Sequence, residues 1–317
     1  MKVIDHLRNA KRTLLSFEIL PPLKGTDIRS IYAGIDPLME FKPSFINVTY
    51  HREEVIYKER GHGLLEKIRL RKRPGTVGIC ATIRAKYDID MVPHLICGGF
   101  SREDTEDALI ELNFLGIGNV LALRGDAIKS EPSFIPERDG HHHAEDLIRQ
   151  IAALNKGKYL HDEEQEAAPT DLCVGAACYP EKHPEALNLG TDIAYLKRKV
   201  DAGAEYLVTQ MFFDNTKYFE FVDRCRAEGI QVPILPGLKP LTTLKHIAFI
   251  PKTFHVDLPD EMARELVKCT TDKEVKAVGI EWATQQAKDL IAHNTPCVHF
   301  YTMGRSEAVR AIVEKVF

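Results

Sequence analysis

The chain has 317 residues, 44% hydrophobic and 28% charged, with a formal net charge of −4. That balance excludes a disordered chain, and it offers no basic footprint for nucleic acid. Seven cysteines without a C-x-x-C pair indicate neither a disulfide framework nor a zinc or iron–sulfur site, so no metal is expected.

Taken in chain order, the N-terminal stretch "MKVIDHLRNAKRTLL" lacks a run of signal-peptide length, and no later segment approaches the ~20 apolar residues of a spanning helix. A cytoplasmic protein without membrane contact is expected. Short apolar runs then recur: "TLLSFEI", "SFINVTY", "TVGICATI", "NVLALRG", "LCVGAACY", "EYLVTQMFF", "VPILPGL" and "CVHFYTM". The cationic stretch "RLRKRPG", Arg69 to Gly75, reads as the solvated last turn of a helix stopped by Pro74 and Gly75. Helical periodicity fills most of the gaps between runs, as in Ser101 to Gly116, with Ser101 and Asp104 forming a capping box, and in Thr191 to Ala204, ending near Gly203. Two segments break the alternation: "AKYDIDMVPHLICGG" after the third run and the acidic "KYLHDEEQEAAPTD" before the fifth, read as a mobile insert around residues 157–170.

Eight strands alternating with helices imply parallel pairing and a single (β/α)8 TIM barrel of the α/β class spanning residues 1–317. A doubly wound open sheet would usually announce a dinucleotide site with G-x-G-x-x-G, and none occurs.

Barrel sites lie at the C-terminal strand ends, which directs attention to Glu18, Thr49 with His51, His94, Arg124, Asp126, Tyr179, Glu181, His183, Gln210 and Asp214. Singly, each has an ordinary explanation as a cap or a structural hydrogen bonder. Together, acids, histidines and an amide converging on one mouth form a small-molecule site. Glycoside hydrolysis would want aromatic platforms, and there is one tryptophan, Trp282, in a late helical segment. "HHH" at His141 to His143 is compositional, a loop entering a helix that begins near Ala144.

The motifs "SFEILPP", "NVTY", "PHL", "LALRGD", "YPEKHPEA", "LKRKVDAGAEYLVTQMFFD" and "VHFYT" together resemble the methylenetetrahydrofolate reductase family, in its compact bacterial form. The resemblance implies a barrel holding non-covalent FAD, reduced by NADH or NADPH, which leaves before methylenetetrahydrofolate enters the same face. It also implies a homo-oligomer. Thr49, His94, Leu123, Arg124, Gly125, Asp126, Ala144, Tyr179, His183, Asp192 and Lys199 match FAD-binding positions, and His143 stands where a tyrosine often packs at the flavin. Gln210 matches the amide that recognises substrate. Glu18 matches the general acid that protonates the leaving nitrogen, its pKa raised by apolar surroundings, and an ionised Asp126 would stabilise the cation so formed. The sequence departs from the family at His51-Arg52, at Leu20, and at Ile250, near a position where an aromatic commonly clamps the nicotinamide or pterin. Two other readings stay open: a flavoprotein subunit fed by an iron–sulfur partner, and a non-catalytic folate- or flavin-binding module.

Overall fold

Period-two alternation decides which way the first apolar run faces. The computed structural model describes residues 1–128, 131–161 and 167–317. Its strands are β1 (Leu14–Ile19), β2 (Phe45–Val48), β3 (Glu54–Glu59), β4 (Leu65–Leu70), β5 (Asp90–Ile96), β6 (Asn119–Leu123), β7 (Cys173–Cys178), β8 (Tyr206–Thr209), β9 (Ile234–Leu235), β10 (Gly237–Leu238) and β11 (Cys297–Tyr301). Its helices are α1 (Val3–Asn9), α2 (Arg29–Met39), α3 (Thr76–Tyr87), α4 (Arg102–Phe114), α5 (Ala144–Leu154), α6 (Leu189–Ala202), α7 (Asn215–Ala227), α8 (Leu244–Phe254), α9 (Asp260–Leu266), α10 (Asp272–Ala292) and α11 (Glu307–Val316).

In β1, Leu15, Phe17 and Ile19 turn outward into the apolar belt between sheet and helices, where they join Ile35 and Leu38 of α2 and Ile312 and Val313 of α11. Ser16 and Glu18 therefore point into the barrel. Nine parallel strands run in the order β10-β11-β1-β2-β5-β6-β7-β8-β9. β9 and β10 are two halves of one barrel position, interrupted at Pro236: β9 pairs with β8, β10 pairs with β11, and the Pro236 carbonyl accepts from the His299 amide at 2.9 Å. Eight positions thus bring the barrel nearly to closure, as the alternation of runs and helices implied.

The floor is sealed. Val3 and Ile4 of α1 pack on Phe45, Val92, Leu121, Cys173, Tyr206 and Cys297 inside the barrel, and the Asn119 side chain accepts from the Val3 amide at 2.7 Å. Several of these residues start their strands, so α1 covers the N-terminal end and leaves the other end as the way in.

Three expectations need correction. "TVGICATI" is the helix α3, although its β-branched residues imitate a strand. Its buried residues Thr76, Ile79, Cys80 and Ile83 recur at helical spacing, and Asp88 ends it in the left-handed region at φ 48°. The third barrel strand is β5, within the segment read as an interruption. Its Pro93 disguises it, yet Pro93 sits where the pairing passes from β2 (up to Val48↔Pro93) to β6 (from His94↔Leu121). "RLRKRPG" is not a helix end: Arg69 and Leu70 close β4, which pairs antiparallel with β3 across a turn in which Gly61, His62 and Gly63 all have positive φ.

The helices at 101–116 and 191–204 form nearly as expected. Ser101 and Asp104 make the capping box of α4, while α6 starts earlier, capped by Asn188, and ends at Gly203 with φ 128°. Of the acidic insert, residues 162–166 lie outside the described residues. On its flanks the Tyr159 hydroxyl donates to the Ala168 carbonyl at 2.9 Å, and the Leu160 amide donates to Glu106 at 2.9 Å. Among the described residues, no helix is long and apolar enough to cross a membrane.

Candidate active site

The C-terminal strand ends open into a cavity of about 1200 Å³. It is lined by Glu18, Thr49, His94, Leu123, Arg124, Gly125, Asp126, His143, Ala144, Tyr179, His183, Asp192, Lys199 and Gln210, so every residue assigned a cofactor, substrate or acid role on the resemblance reaches one space. Ile250 also lines it, and so does His51, whose Nε2 lies 3.3 Å from the Thr49 hydroxyl.

Glu18 is buried, 8% exposed at the end of β1. Its backbone stands in register with Asn47 on one side and Tyr301 on the other. Burial raises its carboxyl to about 8, against a smaller opposing pull from the Lys239 charge. The nearest side chain is His94, with Oε2 3.3 Å from Nε2. Burial first, then the charges of His299 and His51, push the imidazole down to about 3. The contact is therefore no ion pair near neutral pH. A neutral carboxyl faces a neutral imidazole, whose Nε2 also lies 3.3 Å from the Asn47 side-chain nitrogen, the donor and acceptor roles being set by the imidazole tautomer.

Across the mouth the charged groups are tied to protein partners. Arg124, which follows β6, donates two hydrogen bonds to Glu185 at 2.5 and 2.7 Å and lies over the Phe134 ring at 5.1 Å. Gly125 holds φ +84°, and an added Cβ would come within 3.2 Å of Ile96. Asp192 and Lys199 share one face of α6, seven residues apart. Asp192 accepts from the His183 amide at 2.8 Å, while Lys199 donates to the Ala177 carbonyl at 3.0 Å with its pKa lowered mainly by burial. The Tyr179 and His183 rings meet edge to face at 4.7 Å. His143 precedes α5, its amide donating to Asp146 at 3.0 Å. Gln210 lines the cavity, its side-chain oxygen accepting from the Met211 amide at 2.9 Å.

Two of the strand-end acids take no part in the cavity lining. Asp214 caps α7 through the Thr216 amide, and Glu181 accepts from Lys217 and the Asp257 amide, tying together the loops behind the mouth. Lys239, Tyr301 and Arg305 line the cavity but were not singled out from the sequence. The strand-end rule reaches them, in "PGLKP" and "YTMGR", once carried past the sixth strand to the last two. His141 is buried against Gln150, and among the described residues no cluster of His, Cys, Asp and Glu could hold a metal ion.

Comparison with known proteins identifies the family. A family model for methylenetetrahydrofolate reductase matches residues 2–316. The chain is 31% identical over 321 residues to methylenetetrahydrofolate reductase 1 of Schizosaccharomyces pombe, covering 100% of this chain and 48% of that protein. It is also 31% identical over 304 residues to 5,10-methylenetetrahydrofolate reductase of Pectobacterium carotovorum, covering 95% and 89%. The chain thus spans about half the length of the eukaryotic relatives and most of the bacterial one. Among solved structures, an uncharacterized protein from Clostridium thermocellum that binds two copies of 5-methyl-5,6,7,8-tetrahydrofolic acid superposes with a TM-score of 0.56 at 13% identity, covering 98% of this chain and 97% of that one, a likeness of fold. With the family pattern running from one end of the sequence to the other, the chain belongs to the methylenetetrahydrofolate reductase family.

Proposed function

We propose that the chain reduces 5,10-methylenetetrahydrofolate to 5-methyltetrahydrofolate, with FAD held in the large cavity and NADH or NADPH as the donor in a separate half-reaction. The observation that carries this reading is a buried carboxyl, Glu18, lining a cavity that also holds Asp126 and Gln210, with its pKa pushed up to about 8 by that burial. FAD, when bound, would take a hydride from the nicotinamide and deliver it to the folate, so one cavity serves both half-reactions and no separate dinucleotide fold is needed.

The residues present fit such a group. Arg124 and Lys199 bring two cations to the same side of the cavity, suited to a pyrophosphate, and Gly125 keeps the turn between Arg124 and Asp126 free of a side chain. Arg124 is engaged with Glu185, whose side chain is 58% exposed and free to turn to water when an anion competes.

The protein's part in the folate step follows from the acid. Opening the five-membered ring of methylenetetrahydrofolate needs a proton on the leaving nitrogen, and Glu18 carries one on the cavity wall. The opened substrate is a cationic iminium. Asp126 supplies a carboxylate to offset that charge, and Gln210 supplies an amide able to donate and accept at once.

The test is an anaerobic visible spectrum of the purified protein before and after NADH, NADPH and then methylenetetrahydrofolate. Bleaching of a flavin band by either nicotinamide and its recovery on adding folate is the expected result. A flavin untouched by both nicotinamides would overturn the donor assignment in favour of a partner-fed flavoprotein. No flavin after reconstitution with FAD would overturn the reading altogether.

A further inference from the structure

Donating a proton leaves Glu18 as a carboxylate inside the barrel, an expensive product unless something offsets the charge. Its surroundings offer little. His94 approaches from β5 and is neutral, Asn47 of β2 is an amide, and Tyr301 of β11 keeps its proton far above neutral pH because it is buried. The cation whose field reaches Glu18 is Lys239.

The chain sets that lysine deliberately. β10 ends at Leu238, whose partner on β11 is Phe300, so Lys239 stands level with Tyr301, and Tyr301 is the partner of Glu18. Acid and lysine therefore flank β11 at one height, two strand spacings or about 10 Å apart at the backbone, with both side chains lining the cavity. Pro236 and Pro240 bracket the segment, and the residue before a proline is confined to extended backbone, which fixes the direction of Lys239. Among the described residues Lys239 makes no ion pair and no side-chain hydrogen bond. The other charged or titratable groups facing it are Arg305, from the loop after β11, and His246 of α8, so no second carboxylate competes for it.

The geometry points to Lys239 as a positioning residue for the proton-transfer step: it is the cation that holds the charge left on Glu18 after its proton has passed to the substrate nitrogen. The balance is simple. The Glu18 O–H bond breaks, an N–H bond forms on the leaving nitrogen, and the carboxylate faces the Lys239 ammonium until solvent entering through the mouth returns a proton. This inference rests on the reading of Glu18 as the acid.

The experiment is the pH dependence of the folate half-reaction, followed by stopped flow on the FAD-loaded, pre-reduced protein. In the parent protein the rate should fall as pH rises through about 8. In Lys239→Met the alkaline limb should move up by about one pH unit, because burial then acts on Glu18 unopposed, and the plateau should fall about tenfold, more than the nicotinamide half-reaction falls. Lys239→Arg, which keeps the charge, should hold the limb in place and recover most of the rate. Lys239→Gln gives the same reading as the methionine variant should the latter not fold. A limb that stays put in Lys239→Met or Lys239→Gln, with the rate lowered equally at every pH, would overturn the proposal. Normal folate turnover by Glu18→Gln would overturn the acid assignment itself, a failure distinguishable from the first.

Discussion

The two walls of the cavity are built on opposite principles. On the β6 to α6 side, Arg124 is paired with Glu185, Asp192 accepts from a backbone amide and Lys199 donates to a carbonyl. On the β10 to β1 side, Glu18 and Lys239 face the cavity without an ion pair between them, each moved toward its neutral form chiefly by burial. Tied charges hold a shape before a ligand arrives, which suits binding. Untied, desolvated groups are held at a cost to stability and keep their protons poised, which suits chemistry.

Breaking the second wall should have the larger effect. Glu18→Gln should lower the folate half-reaction by roughly 10²- to 10⁴-fold, the usual worth of a general acid, while sparing reduction of the flavin by nicotinamide; stopped-flow comparison of the two half-reactions checks this. The same substitution should stabilise the fold at alkaline pH. A carboxyl whose folded pKa is raised from about 4.5 to about 8 gives stability that is full below 4.5 and is lost as pH rises to 8, up to roughly 5 kcal/mol. Chemical denaturation should therefore show the parent protein weakening between about pH 5 and 8, and Glu18→Gln weakening less.

The first wall should respond in affinity. Lys199→Met removes a buried cation and should weaken FAD binding by about tenfold to a hundredfold in a fluorescence titration, with smaller change in the rate of the loaded protein. Smallest of all, Glu185→Gln loosens a partly exposed pair and should alter FAD affinity no more than about threefold. A large loss there would mean that Glu185 holds Arg124 in place and does not compete for it.

Legibility in the sequence followed the same division. The inward turn of Glu18 could be read from alternation alone, because Leu15, Phe17 and Ile19 claim the other face of the strand. On the tied wall Arg124 could be found at its strand end, but Asp192 and Lys199 were readable only through the family pattern: nothing local in "LNLGTDIAYLKRK" says that they face a ligand. Lys239 directly follows "VPILPGL", so the strand-end rule reaches it once carried to the seventh run, although Pro236 splits that run into β9 and β10. The exchange of α3 for β5 has one cause, that β-branched residues can satisfy a helix and a proline can sit in a strand when burial decides the issue.

The central claim is that Glu18 holds a proton near neutral pH. An infrared difference spectrum between the FAD-loaded parent protein and Glu18→Gln, recorded at about pH 6 and about pH 10, reads that proton directly in the stretch of a protonated carboxyl. The account predicts a band at the lower pH that is gone at the higher one. A carboxylate signature already present at about pH 6 would contradict it.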